Sequence, residues 1–140
     1  MEIRKMKLVR AIAIAALAFL AITALIGSVP LIMEPSGARL SMPLSLLEHS
    51  PFSSFLIPGL ILLLANCLLS SLVLAFTLRK VSGYGRWIAL QGLVLVGWIS
   101  VQVMMIRVVI WAHYVYGAVA LILILCGWLL SNYTTVRDRG

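Results

Sequence analysis

The chain has 140 residues, 63% of them hydrophobic and 11% charged, with a formal net charge of +7. A soluble domain carries roughly a quarter charged residues and about half apolar ones, so this composition excludes a water-dissolved fold with an attached catalytic module. The positive balance does not point to nucleic acid, because the lysines and arginines cluster at the ends of apolar runs rather than along one face.

After the basic start MEIRKMKLVR, Ala11 to Met33 runs without a charge, longer than the roughly 20 residues that cross about 30 Å of hydrocarbon. This predicts a first transmembrane helix at about 11–33. A signal peptide would also have a basic start, but the small-x-small cleavage pattern around Ala24 to Val29 is poor.

Residues 34–54 form the one substantial loop, with three of the five prolines and the carboxylates Glu34 and Glu48. Pro35-Ser36-Gly37 reads as a turn. Ser41 as N-cap and Pro43 in the first turn predict a short interfacial helix over Met42–Glu48. A second span follows at about 55–78, with Pro58 in its first turns, where a missing backbone donor is tolerable. Arg79 to Arg86, with two glycines, reads as a tight turn between antiparallel helices.

From Trp87 to Val136 the lone charge is Arg107. One helix cannot use so long a run, so the chain is expected to reverse near Met105 to Ala112, placing spans at about 87–106 and 112–131. No glycine or proline marks that reversal. The expected fold is therefore a single all-α membrane domain over residues 1–140, an up-down-up-down bundle of four transmembrane helices with an interfacial helix in its first outer loop.

Orientation follows from the cations. Arg4, Lys5, Lys7, Arg10, Arg79, Lys80, Arg86, Arg137 and Arg139 fall on one side of the spans and only Arg39 and Arg107 on the other. This bias predicts cytoplasmic N- and C-termini. Tyr84, Trp87, Trp128 and Tyr133 are expected at the inner boundary, and Phe52, Phe55, Trp111, Tyr114 and Tyr116 at the outer one.

Two polar constellations stand out. Asn66, Ser70 and Thr77 share one stripe of the second span, and Gln91, Trp98 and Gln102 one face of the third. Unpaired polar groups in hydrocarbon are costly, so these faces are expected to meet, with Asn66 hydrogen-bonded to Gln102 or Ser100. A polar substrate path is the alternative.

At the outer side, Arg107, Glu48, His49 and His113 are expected at similar depth. Arg107 paired with Glu48 would clamp the loop over the bundle; a ligand site, an anionic-lipid site or simple snorkelling are the alternatives. His49 and His113 have no metal-binding spacing, and Cys67 and Cys126 form no CxxC pair. No catalytic triad, phosphate loop or intramembrane carboxylate is present in the sequence, which argues against an enzyme, a cofactor site or a small multidrug transporter.

Pro35-Ser36-Gly37, Met42-Pro43-Leu44-Ser45-Leu46-Leu47, Ser50-Pro51-Phe52 and Phe55-Leu56-Ile57-Pro58-Gly59, taken with the Trp98 to Arg107 segment, resemble a family of small, functionally uncharacterised bacterial integral membrane proteins. The likeness spans roughly residues 33 to 115. It implies a bacterial four-helix protein with an ordered outer loop and carries no activity with it; the expected location is the bacterial cytoplasmic (inner) membrane. A more distant likeness to DoxX-like four-helix proteins rests on size and helix count. The leading expectation is a non-enzymatic homo-oligomer or accessory subunit of a membrane complex. The alternative is a carrier or binder of a small amphipathic molecule, a lipid or quinone, in a pocket under the outer loop.

Overall fold

The computed structural model describes the backbone of residues 2–139 and the side chains of residues 3–133. Among the described residues all regular structure is helical. Four long helices follow one another: α1 (Glu2–Met33), α2 (Leu56–Leu78), α3 (Tyr84–Ile106) and α4 (Trp111–Arg139). Each is long and apolar enough to cross a membrane. Helices are the form such sequences take because every backbone donor and acceptor in hydrocarbon must be satisfied within the chain. The protein is a small multi-pass membrane protein.

α1 starts well before Ala11, since Arg4, Lys5, Lys7 and Arg10 extend the same helix beyond its uncharged stretch. The side chains of Arg137 and Arg139, counted in the charge bias, lie outside the described residues.

α1 packs closely on α2 and α3 on α4, while α1 with α4 and α2 with α3 make looser seams. The α3–α4 contact is tight because Gly85, Gly92 and Gly127 bring backbones together. A Cβ added at Gly92 would stand 2.9 Å from the Ala120 carbonyl oxygen, and one at Gly127 2.6 Å from that of Gly85. Small residues let helices approach where lipid offers no hydrophobic drive. Gly97 and Gly117 face open space instead.

The interior has two apolar clusters. One joins Ala13, Leu17, Leu20, Val73, Ile88, Leu95, Ala120 and Leu123 in the body of the bundle. The other, at the loop end, joins Leu31, Leu47, Phe55 and Met105, with Met42, Leu46 and Phe52 packed against it. The loop is thus held by apolar contact. It is also tied by the Phe55 N–H donating to the Pro35 carbonyl at 2.8 Å.

Met42–Glu48 is not a continuous interfacial helix. The segment forms a 3₁₀ turn at Leu44–Leu47, with Pro43 in extended conformation as its N-cap. Ser41 caps nothing at that N-terminus: it lies in the left-handed region (φ 55°) and closes a preceding 3₁₀ turn, Ala38–Leu40. Proline lacks an N–H and its ring restrains Met42 before it, which keeps the Leu44–Leu47 turn separate from the Ala38–Leu40 turn.

The α2–α3 connection ends α2 with a Schellman motif. Val81 N–H donates to the Phe76 carbonyl and Lys80 N–H to that of Thr77, with Lys80 at φ 53°. The α3–α4 reversal, which has no glycine, is made by Arg107 at φ 61°, its N–H donating to the Val103 carbonyl at 2.7 Å. His113 then caps α4: its Nδ1 accepts the Ile110 N–H at 3.1 Å, a side chain in the first turn reaching back to the residue before the helix.

Candidate functional site

α2 is not uniformly α-helical. Residues Leu63–Leu68 form a π-helical segment around its middle. Widening the turn shifts the backbone ladder, and side chains meet the displaced carbonyls. Gln91 Nε2 donates to Ala65 at 3.1 Å, Ser70 Oγ donates to Asn66 and to Cys67, and Ser71 Oγ donates to Cys67 at 2.7 Å. π-segments of this kind recur at functional sites.

Asn66 lies inside this segment, fully buried, and neither its Oδ1 nor its Nδ2 has a hydrogen-bond partner. The expected bond from Asn66 to Gln102 or Ser100 is not made. Ser100 Oγ instead donates to its own helix, at the Val96 carbonyl. Gln91 takes the α2–α3 bridging role, and its own Oε1 is left unpaired. The π-turn decides this, because it presents a carbonyl to Gln91 and rotates Asn66 into space.

That space is a cavity of about 130 Å³ in the seam between the two helix pairs. Thr23 of α1, Leu62 and Asn66 of α2, Trp98 and Gln102 of α3 and Tyr116 of α4 line it. Thr23 Oγ1 is committed to the Phe19 carbonyl of its own helix at 2.8 Å. A second, smaller cavity of about 50 Å³ lies directly under the loop, between Met42, Leu46, Leu47 and Phe55 on one side and Met105 on the other. Leu62, Trp98 and Gln102 wall both. An unpaired buried amide costs about 1–3 kcal/mol in protein contexts, which sets Asn66 apart from other buried polar side chains of the bundle, Ser28, Ser70 and Thr77, whose hydroxyls bond to their own helices.

The outer constellation is not assembled as a cluster. Glu48, His49 and Arg107 are exposed, and no ion pair joins Arg107 to Glu48. Among the described residues the ion pair at this end is Arg39 Nε to Glu34 Oε2, 3.6 Å apart and half-exposed. Arg107 needs no carboxylate because its side chain is exposed, and its function in the turn is carried by its backbone. His113 is buried and engaged in capping. Among the described residues no group of three or more metal-ligating side chains is found.

Of the remaining polar stripe, Ser70 and Thr77 are buried and bond to carbonyls of their own helix. Tyr116 and Phe19 stack at 6.0 Å between centroids. Tyr116 packs in the interior and Phe52 and Phe55 against the loop, whereas Trp111 and Tyr114 are strongly exposed. The Thr23 contribution to the cavity was not legible in the sequence, since Thr23 sits singly in an apolar run, and Tyr116 was read there only as a boundary aromatic.

Protein-family models, curated proteins and solved structures were each compared with the chain, and none matches.

Proposed function

We propose that this protein is a non-enzymatic binder or carrier of a small amphipathic molecule of the lipid or quinone class, working in a bacterial cytoplasmic membrane with both termini inside. The observation that supports this most is the Asn66 amide, fully buried and unpaired beside a cavity of about 130 Å³. An apolar cavity of about 150 Å³ holds a benzene-sized ring. Asn66 Nδ2 can donate to a ring carbonyl, the Trp98 indole supplies a flat wall, and the smaller cavity under the loop extends the same apolar surface. Pockets of this type are apolar with one or two polar groups that orient the ligand.

The test uses the full chain in detergent with a decyl-substituted benzoquinone. The quinone is expected to raise the unfolding temperature of the wild type and not that of Asn66→Leu. The variant remains folded, because Asn66 makes no side-chain hydrogen bond to lose. No shift for the wild type, or an equal shift for both, overturns the proposal.

The reading as a homo-oligomer or accessory subunit has its own support in Gly97 and Gly117, where an added Cβ meets nothing within 4 Å. These are places where a helix of another chain could approach closely. Blue-native electrophoresis of wild type against Gly97→Leu and Gly117→Leu separates this reading from a monomeric binder.

A further inference from the structure

At the end of the bundle opposite the loop lies a separate and larger cavity, about 660 Å³, between α1, the α2–α3 turn and α4. Lys7 and Arg10 of α1 and Lys80 of the turn line it, with Tyr84 and Tyr133 beside them and Met6 as an apolar wall. Among the described residues that line it none is a carboxylate. Arg10 is held in place: Nε and Nη2 donate to the Thr77 carbonyl at 3.1 and 2.9 Å, and Nη2 also to that of Leu78 at 3.2 Å. Those bonds cap the C-terminus of α2 and anchor a guanidinium at the cavity without using Nη1. Lys7 and Lys80 are exposed and pair with no carboxylate among the described residues.

Three cations converging on one concave site repel one another, and an anion seated among them lowers that cost. The depth selects the kind of anion. Arg10 immediately precedes the uncharged stretch of α1, and Tyr84 opens α3, so the cavity sits at the membrane boundary, where phosphodiester headgroups lie. Its apolar wall at Met6 suits a glycerol backbone and the start of an acyl chain. Basic pockets between transmembrane helices take anionic headgroups in this way. We propose that Lys7, Arg10 and Lys80 hold the phosphate of an anionic phospholipid from the adjacent leaflet, with the Tyr84 and Tyr133 hydroxyls able to bond its ester oxygens.

The experiment is native mass spectrometry of the full-length protein released from nanodiscs containing equal amounts of phosphatidylglycerol and phosphatidylcholine. Phosphatidylglycerol is expected to be retained preferentially, with its occupancy falling about fivefold in affinity for each lysine removed in Lys7→Gln and Lys80→Gln. Arg86→Gln, which removes a charge at the same end but outside the cavity, is expected to leave retention unchanged. Inorganic phosphate at millimolar concentration is expected not to displace the lipid. Equal retention of both lipids, an equal loss in Arg86→Gln, or displacement by inorganic phosphate alone overturns the assignment.

Discussion

Gln91 on α3 donates from Nε2 to the Ala65 backbone carbonyl on α2 across 3.1 Å, a direct side-chain hydrogen bond between these two helices. It exists because the π-segment turns a backbone acceptor toward the neighbouring helix. Gln91→Leu is expected to destabilise the bundle by about 0.6–2 kcal/mol, the usual range for interhelical bonds in lipid. Unfolding in mixed micelles measures it; an unchanged midpoint would mean that the Ala65 carbonyl finds another donor.

Glycine contacts divide the α3–α4 surface from the open surface. Gly127→Ala drives a methyl against the Gly85 carbonyl and is expected to cost about 1–3 kcal/mol, as overpacking does. Gly97→Ala and Gly117→Ala meet nothing and are expected to be neutral or stabilising in the monomer by about 0.5–1 kcal/mol, from the helical preference of alanine. The same unfolding assay ranks the three.

The loop is held by shape rather than by charge. Phe55→Ala empties the cluster of Leu31, Leu47 and Met105 and is expected to cost about 3–5 kcal/mol and expose the loop to protease. Gly37→Ala is expected to do the same, since Gly37 has φ 81° and a Cβ there would stand 2.7 Å from the Phe55 ring. Glu48→Ala should leave cleavage rates unchanged. Arg107→Gly is expected to stabilise the α3–α4 turn by about 1 kcal/mol, because glycine adopts the left-handed conformation without the cost an L side chain bears.

Membrane orientation rests on the cation bias. A cysteine at Ser36 is expected to react with an impermeant maleimide applied outside intact cells, and one at Ser82 is not. Both positions are exposed at opposite ends of the bundle, so reactivity reports sidedness rather than burial. Labelling at Ser82 but not at Ser36 would invert the topology.

The four spans were legible in the residues because their signal is one-dimensional: an uncharged run either exceeds the hydrocarbon thickness or does not. The unmarked reversal near Arg107 was forced by length in the same way. What the sequence by itself could not determine was which side chain meets which. Spacing put Asn66 on one stripe and Gln91 and Gln102 on another, but a stripe gives a direction only for a regular helix, and residues 63–68 are not regular. The added width of the π-turn rotates Asn66 into the seam and offers Ala65 to Gln91. Arg107 looked like a charge in need of a partner, yet the fold leaves its side chain exposed and uses its backbone. Such outcomes depend on a few degrees of local φ and on the shape of the facing helix, and only the packed tertiary structure decides them.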